Sequence, residues 1–311
     1  MTLSFSNEKM GPLKAVLALI IVLGHFFYYS NCPFFIPFHE LAATAVAMFF
    51  FISGFGLVKT WEKKGPSYLK GFFTYRLTKI LFPAIIIFLI HLLLCGTGGT
   101  NIYALFKRLV KLGQAYPPQY WFIFVIVYDY LLFWFSFKFL PTSLRISCLF
   151  LGSLLLIVFT TWAGYDRCWW ICSFSFPCGA VYAKHEEKIN SICGKSVLLF
   201  VISLFVLFLT AVGLYLTGKQ YLWTLFYLVV PFGIALIVAA LKPDKVVFPF
   251  LSFFGVISYE IYLSHITAME FFHRSPAAIS SDWAYILSVL ATTIALSFII
   301  NRLCTLIIPR K

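Results

Sequence analysis

Charge is what this sequence has least of. Asp, Glu, Lys and Arg make up 11% of its 311 residues, and only 11 residues are acidic. So little charge cannot cover a water-facing surface, which excludes a soluble globular chain. There is no CxxC pair and no His/Cys cluster at metal-ligand spacing among the eight cysteines, so no metal is expected. Cys32, Cys95 and Cys168 fall toward one expected face, where one disulfide can form; the alternative is free thiols buried in lipid. No run of basic residues interleaved with aromatics lies on a soluble stretch, and nucleic acid is excluded as a partner. The first apolar stretch is long for a signal peptide and no small-residue cleavage motif follows it, so it is expected to stay as an anchor.

What is abundant is apolar. Hydrophobic residues reach 61%, Phe alone occurs 37 times, and mean hydropathy is +0.93. Stretches of about 20 apolar residues mark membrane spans. They predict an all-α polytopic membrane protein in the lipid bilayer, with ten spans near 13–30, 39–58, 77–95, 119–139, 143–163, 168–184, 196–217, 221–241, 249–272 and 283–308. The 24 basic residues test the topology. With the N-terminus inside, only Lys107, Arg108, Lys111, Arg167, Lys219 and Arg274 fall outside. The rest, including Lys245, Arg310 and Lys311, fall inside, so both termini are expected to be cytoplasmic.

The first span, KAVLALIIVLGHFFYY (Lys14–Tyr29), opens on a lysine and carries His25 eleven residues later. That is about 16 Å of helix, enough to bring His25 near the middle of a hydrocarbon core about 30 Å thick. An ionisable group at that depth is either a functional residue or one held by a neighbouring helix. The connection KTWEKKGPSYLKGFFTY (Lys59–Tyr75) leads into Arg76 and Lys79, three apart on one helix face. With Lys14 they put three cations at one mouth, suited to a phosphate group, or else they are topology anchors. Ile102, Leu105, Phe106, Leu109 and Val110 follow helical spacing opposite Lys107, Arg108 and Lys111, which predicts an interfacial amphipathic helix. It serves either attachment to anionic headgroups or recognition of an anionic acceptor.

Inside later spans stand Asp129, Glu260 and His265. Glu260 and His265 are about 140° apart around a helix and need not share a partner, whereas Tyr262 and His265 share a face. Ser53-Gly54 offers a small surface for close helix approach. A transporter or flippase would explain spans, buried His and carboxylates equally, but it predicts repeated halves and paired broken spans. The first and ninth spans do not read alike. A membrane sensor or scaffold predicts no midplane ionisable cluster at all.

Five blocks in order resemble the acyltransferase-3 family of integral-membrane enzymes that acylate envelope glycans. They are Lys14-x10-His25, FFFISGFGL (Phe49–Leu57), Arg76-Leu-Thr-Lys79, Tyr120-Trp121-Phe122 and ISYEIYLSH (Ile257–His265). Ile126 and Val127 stand where some members carry a Glu-Glu pair. The resemblance implies one acyltransferase domain over 1–311, in a bacterial cytoplasmic membrane. Any soluble hydrolase-like domain would come from another chain. It implies an acyl-CoA donor, most often acetyl-CoA, and a glycan or lipid-linked glycan acceptor; a homodimer is compatible with it. Lys14, Arg76, Lys79 and Ser53 would bind the donor. His25, with Lys14, would carry catalysis, as general base or transient acyl carrier. Trp121, Asp129, Glu260, Tyr262 and His265 are the expected acceptor-side residues, and Tyr28, Ser53, Tyr262 or His265 the expected oxyanion donors.

Overall fold

Apolar sequence leaves the backbone no water to bond, so each stretch satisfies its amides internally as a helix. The computed structural model describes residues 3–30, 32–243, 247–274 and 281–307. Among these residues there are α-helices and no strand. The helices are α1 (Asn7–His25), α2 (Ile36–Lys64), α3 (Thr78–Cys95), α4 (Ile102–Leu112), α5 (Trp121–Phe139) and α6 (Arg145–Trp162). They continue with α7 (Ser175–Cys193), α8 (Val197–Leu216), α9 (Trp223–Ala240), α10 (Val247–Val256), α11 (Ser258–Arg274) and α12 (Asp282–Ile307). Lys245, Arg310, Lys311 and the last residue of the tenth expected span lie outside the described residues.

Among the described residues, eight helical segments are long and apolar enough to cross a membrane, or nine if α10 and α11 form one span bent by 64°. About ten spans are expected, and two stretches account for the difference. Residues 168–184 divide between a short turn at Arg167–Trp169 and the first half of α7. The second half of α7 carries Lys184, His185, Glu186, Glu187 and Lys188, so its apolar run is too short to span. The stretch 249–272 breaks at Ile257, beside which Ser258 Oγ donates to the Gly255 carbonyl at 2.9 Å.

The apolar half of α7 is buried against α2. A Cβ on Gly54 would collide with the Phe176 carbonyl oxygen, and one on Gly179 with that of Phe51. Ser53-Gly54 is therefore where the two backbones touch. α1 meets α10 in the same way at Gly11 and Gly255. α8 has Ala211 as its one buried residue and leaves the rest of its apolar surface for lipid. The expected amphipathic helix forms as α4, capped by the Asn101 side chain, which accepts from the Ala104 amide at 2.7 Å. Lys107, Arg108 and Lys111 are exposed, while Ile102, Leu105, Phe106 and Leu109 close an apolar cavity of about 330 Å³ against α3 and α5.

Candidate active site: two histidines and an unpaired pair of cations

His25 ends α1, and its Nδ1 lies 2.8 Å from the Ile21 carbonyl oxygen of the preceding turn. A carbonyl only accepts, so Nδ1 carries the proton and Nε2 presents its lone pair. His265 on α11 repeats the arrangement, with Nδ1 3.3 Å from the Ile261 oxygen. The two rings meet edge to face at 4.8 Å between centroids. His265 is fully buried, and its Nε2 has no partner among the described residues.

Around this pair stands a short polar chain. Tyr262 lies 5.8 Å from His265 ring to ring, and its hydroxyl donates to the Gln119 carbonyl at 2.7 Å. Gln119 returns the contact, donating from Nε2 to the Leu263 carbonyl at 2.9 Å, while its buried Oε1 has no donor among the described residues. Sequence reasoning passed over Gln119. The signal was available: it is the polar residue between Pro117-Pro118 and the aromatic opening of α5.

Lys14 stands near the middle of α1, eleven residues before His25. Arg76 comes to it from a wide turn, Phe73–Leu77, with π-type winding of the kind often found at functional sites. The Arg76 guanidinium donates to the Tyr68 hydroxyl at 2.7 Å and to Thr60 Oγ1 at 3.4 Å. The Tyr130 hydroxyl lies near Ser53 and within reach of the same guanidinium charge. Neither Lys14 nor Arg76 has a carboxylate partner among the described residues. Lys59, one residue from Thr60, shows the contrast: it is held by Glu186 at 3.0 Å and Glu62 at 3.5 Å. Lys14 and Arg76 thus stand within electrostatic reach of one another with no carboxylate bridging them among the described residues.

The remaining expected site residues are less gathered. Lys79 is exposed and occupied by Tyr75, whose hydroxyl accepts a hydrogen bond from its Nζ at 2.8 Å and whose ring lies 4.2 Å from that Nζ. Arg76 approaches the same ring at 6.0 Å, so Tyr75 stands between the two cations. Trp121 is half-buried, and its neighbour Phe122 is the one that meets the Tyr262 ring, at 4.9 Å. Glu260 turns to α12, accepting from Asn301 Nδ2 at 3.0 Å, and so stands apart from the histidines. Asp129 is fully buried on α5, with neither carboxyl oxygen bonded among the described residues. Tyr28 is 65% exposed, its ring 6.3 Å from that of His25.

An apolar helical bundle with two histidines packed ring to ring between its helices is a membrane protein by class. A family model described as an acyltransferase domain, that of the acyltransferase-3 family, matches residues 12–302. The chain belongs to that family and is a multi-pass membrane acyltransferase. No curated protein and no solved structure matches the chain.

Proposed function

We propose that the protein moves an acyl group, acetyl in the simplest case, from cytoplasmic acyl-CoA to a hydroxyl of a cell-envelope glycan. The observation that carries this reading is the pair Lys14 and Arg76, without a carboxylate partner among the described residues, with Lys14 on the same helix as His25. CoA's phosphates would supply the missing negative charge. Its thin arm would then cover the roughly 16 Å to the histidines. The orphaned acceptors His265 Nε2 and Gln119 Oε1 suit a site that receives an O–H donor, as an acceptor hydroxyl is.

In this reading the Nε2 of His25 takes the proton of the acceptor hydroxyl as its oxygen attacks the thioester carbonyl. The carbon–sulfur bond breaks, and the leaving thiolate takes that proton back from the imidazolium, giving the ester and free CoA. His25 can instead hold the acyl group as an acyl-imidazole between two half-reactions. The side of the membrane on which transfer is completed separates these two routes. The bacterial cytoplasmic membrane is the proposed location. Capsule, teichoic acid, exopolysaccharide and lipid-linked repeat units all offer suitable hydroxyls.

The test uses the protein in lipid nanodiscs with labelled acetyl-CoA. Wild type should bind the donor saturably and release acetate slowly or become labelled. His25→Ala should bind within about twofold of wild type while turnover falls by at least about 10²-fold, the lower end of general-base contributions. Full turnover by His25→Ala would remove the catalytic assignment. No saturable binding of acetyl-, propionyl- or succinyl-CoA would remove the donor.

A further inference from the structure

A second cluster of reactive side chains lies where α3 ends against the last turns of α11, and acyl transfer as described above does not use it. His91 and Cys95, one helical turn apart on α3, meet Glu270 of α11, and one ligand atom from each lies within 4.8 Å of the others. The sequence concealed this set because 175 residues separate Cys95 from Glu270. His91 is fully buried and bonded at both nitrogens, to Thr267 Oγ1 and to the Tyr116 hydroxyl, each at 3.1 Å. Arg274 brackets the cluster, pairing with Glu270 at 2.7 Å and donating to the Cys95 carbonyl at 3.1 Å.

We infer that His91, Cys95 and Glu270 form a binding site for a zinc-class divalent cation that clasps the end of α3 to α11. One imidazole nitrogen, one thiolate and one carboxylate form a borderline-soft donor set, which favours zinc over magnesium or calcium. Tetrahedral zinc with bonds of about 2.0–2.3 Å puts its ligand atoms about 3.5 Å apart, so the trio closes by about an ångström of side-chain movement. Charge balances as well. A thiolate and a carboxylate neutralise the dication, and the thiol proton leaves to solvent on binding. Arg274 gives up its bond to Glu270 and keeps the one to the Cys95 carbonyl. The His91 nitrogen that does not bind the ion keeps its hydroxyl partner, Thr267 or Tyr116, which fixes the ring as metal-bound histidines require. Three protein ligands leave a fourth position for water or a substrate oxygen. Glu270 is five residues beyond His265, so the clasp would hold the helix that carries the second histidine.

The test is spectroscopic and needs no acyl transfer. The full chain in nanodiscs is stripped with chelator and titrated with Co²⁺, then with Zn²⁺, and bound metal is measured by elemental analysis. One equivalent of Co²⁺ should bind with a thiolate-to-cobalt charge-transfer band, which Zn²⁺ then displaces. Cys95→Ser should lose the band, Glu270→Gln should weaken binding at least about tenfold, and Cys168→Ser should leave both unchanged. Zn²⁺ should raise the melting temperature of wild type and not of Cys95→Ser, which separates loss of the site from loss of the fold. Substoichiometric metal in wild type, or the same band in Cys95→Ser, would overturn the site and leave an ion pair beside a histidine.

Discussion

At the scale of single residues, the proposed donor site and the proposed chemistry separate cleanly. Arg76 reaches Tyr68 and Thr60 through two different nitrogens, a forked geometry that lysine lacks. Arg76→Lys should therefore weaken donor binding about tenfold while leaving kcat at saturating donor near wild type, as read in equilibrium binding beside steady-state kinetics. Equal kcat and KM in the variant would take Arg76 out of the donor site. Gln119 tests the acceptor side. Gln119→Leu removes an orphaned buried oxygen along with one bond to Leu263, so stability should stay within about 1 kcal/mol. Turnover should fall with donor affinity unchanged; if both persist, Gln119 is a packing residue.

At the scale of elements, glycine pairs decide which helices can touch. Gly54→Leu would drive a branched side chain into the Phe176 carbonyl, where no flexible group can yield. It should cost about 1–3 kcal/mol or prevent assembly, read as a lower melting temperature and lost yield. Gly56, two residues on, has nothing near its Cβ direction, so Gly56→Ala should be neutral or slightly stabilising in the same assay. The sequence made most elements legible through run length and periodicity: α1, α4 and α5 begin or end within a few residues of expectation. It misled where run length was the only guide. Residues 168–184 are apolar enough to be counted, yet they divide between a turn and half of a helix that is polar beyond Ala183. The break at Ile257 was hidden because Ser258 bonds to the Gly255 carbonyl, a choice that hydropathy does not record.

At the scale of the whole molecule, α1 organises the site. It packs on α2, α10 and α11. His25, Tyr262 and His265 were legible because ionisable and hydroxyl groups inside apolar runs announce themselves. The roles of Asp129 and Glu260 were not, since depth in a span says nothing about direction, and Glu260 proves to face Asn301. The uncompensated cations also make a prediction about global stability. A ligand that binds only the folded state stabilises it by about 2.7 kcal/mol at 100 times its dissociation constant. CoA should therefore raise the melting temperature of wild type by an amount that shrinks with salt and largely vanishes in Lys14→Ala. A salt-independent shift, or the same shift in the variant, would place the anion elsewhere.

The unbroken run of α1 from Lys14 to His25 has one more consequence: with the donor lying along it as proposed, the enzyme is a gauge. Between those residues α1 contains no proline, since its one proline, Pro12, precedes Lys14. The span between charge and imidazole is therefore fixed by helical rise alone. Donors should then be sorted by the length between phosphate and thioester before they are sorted by acyl group. A truncated thioester without phosphates would reach the histidines with nothing to hold it. A nucleotide without the arm would sit on the cations and serve only as an inhibitor.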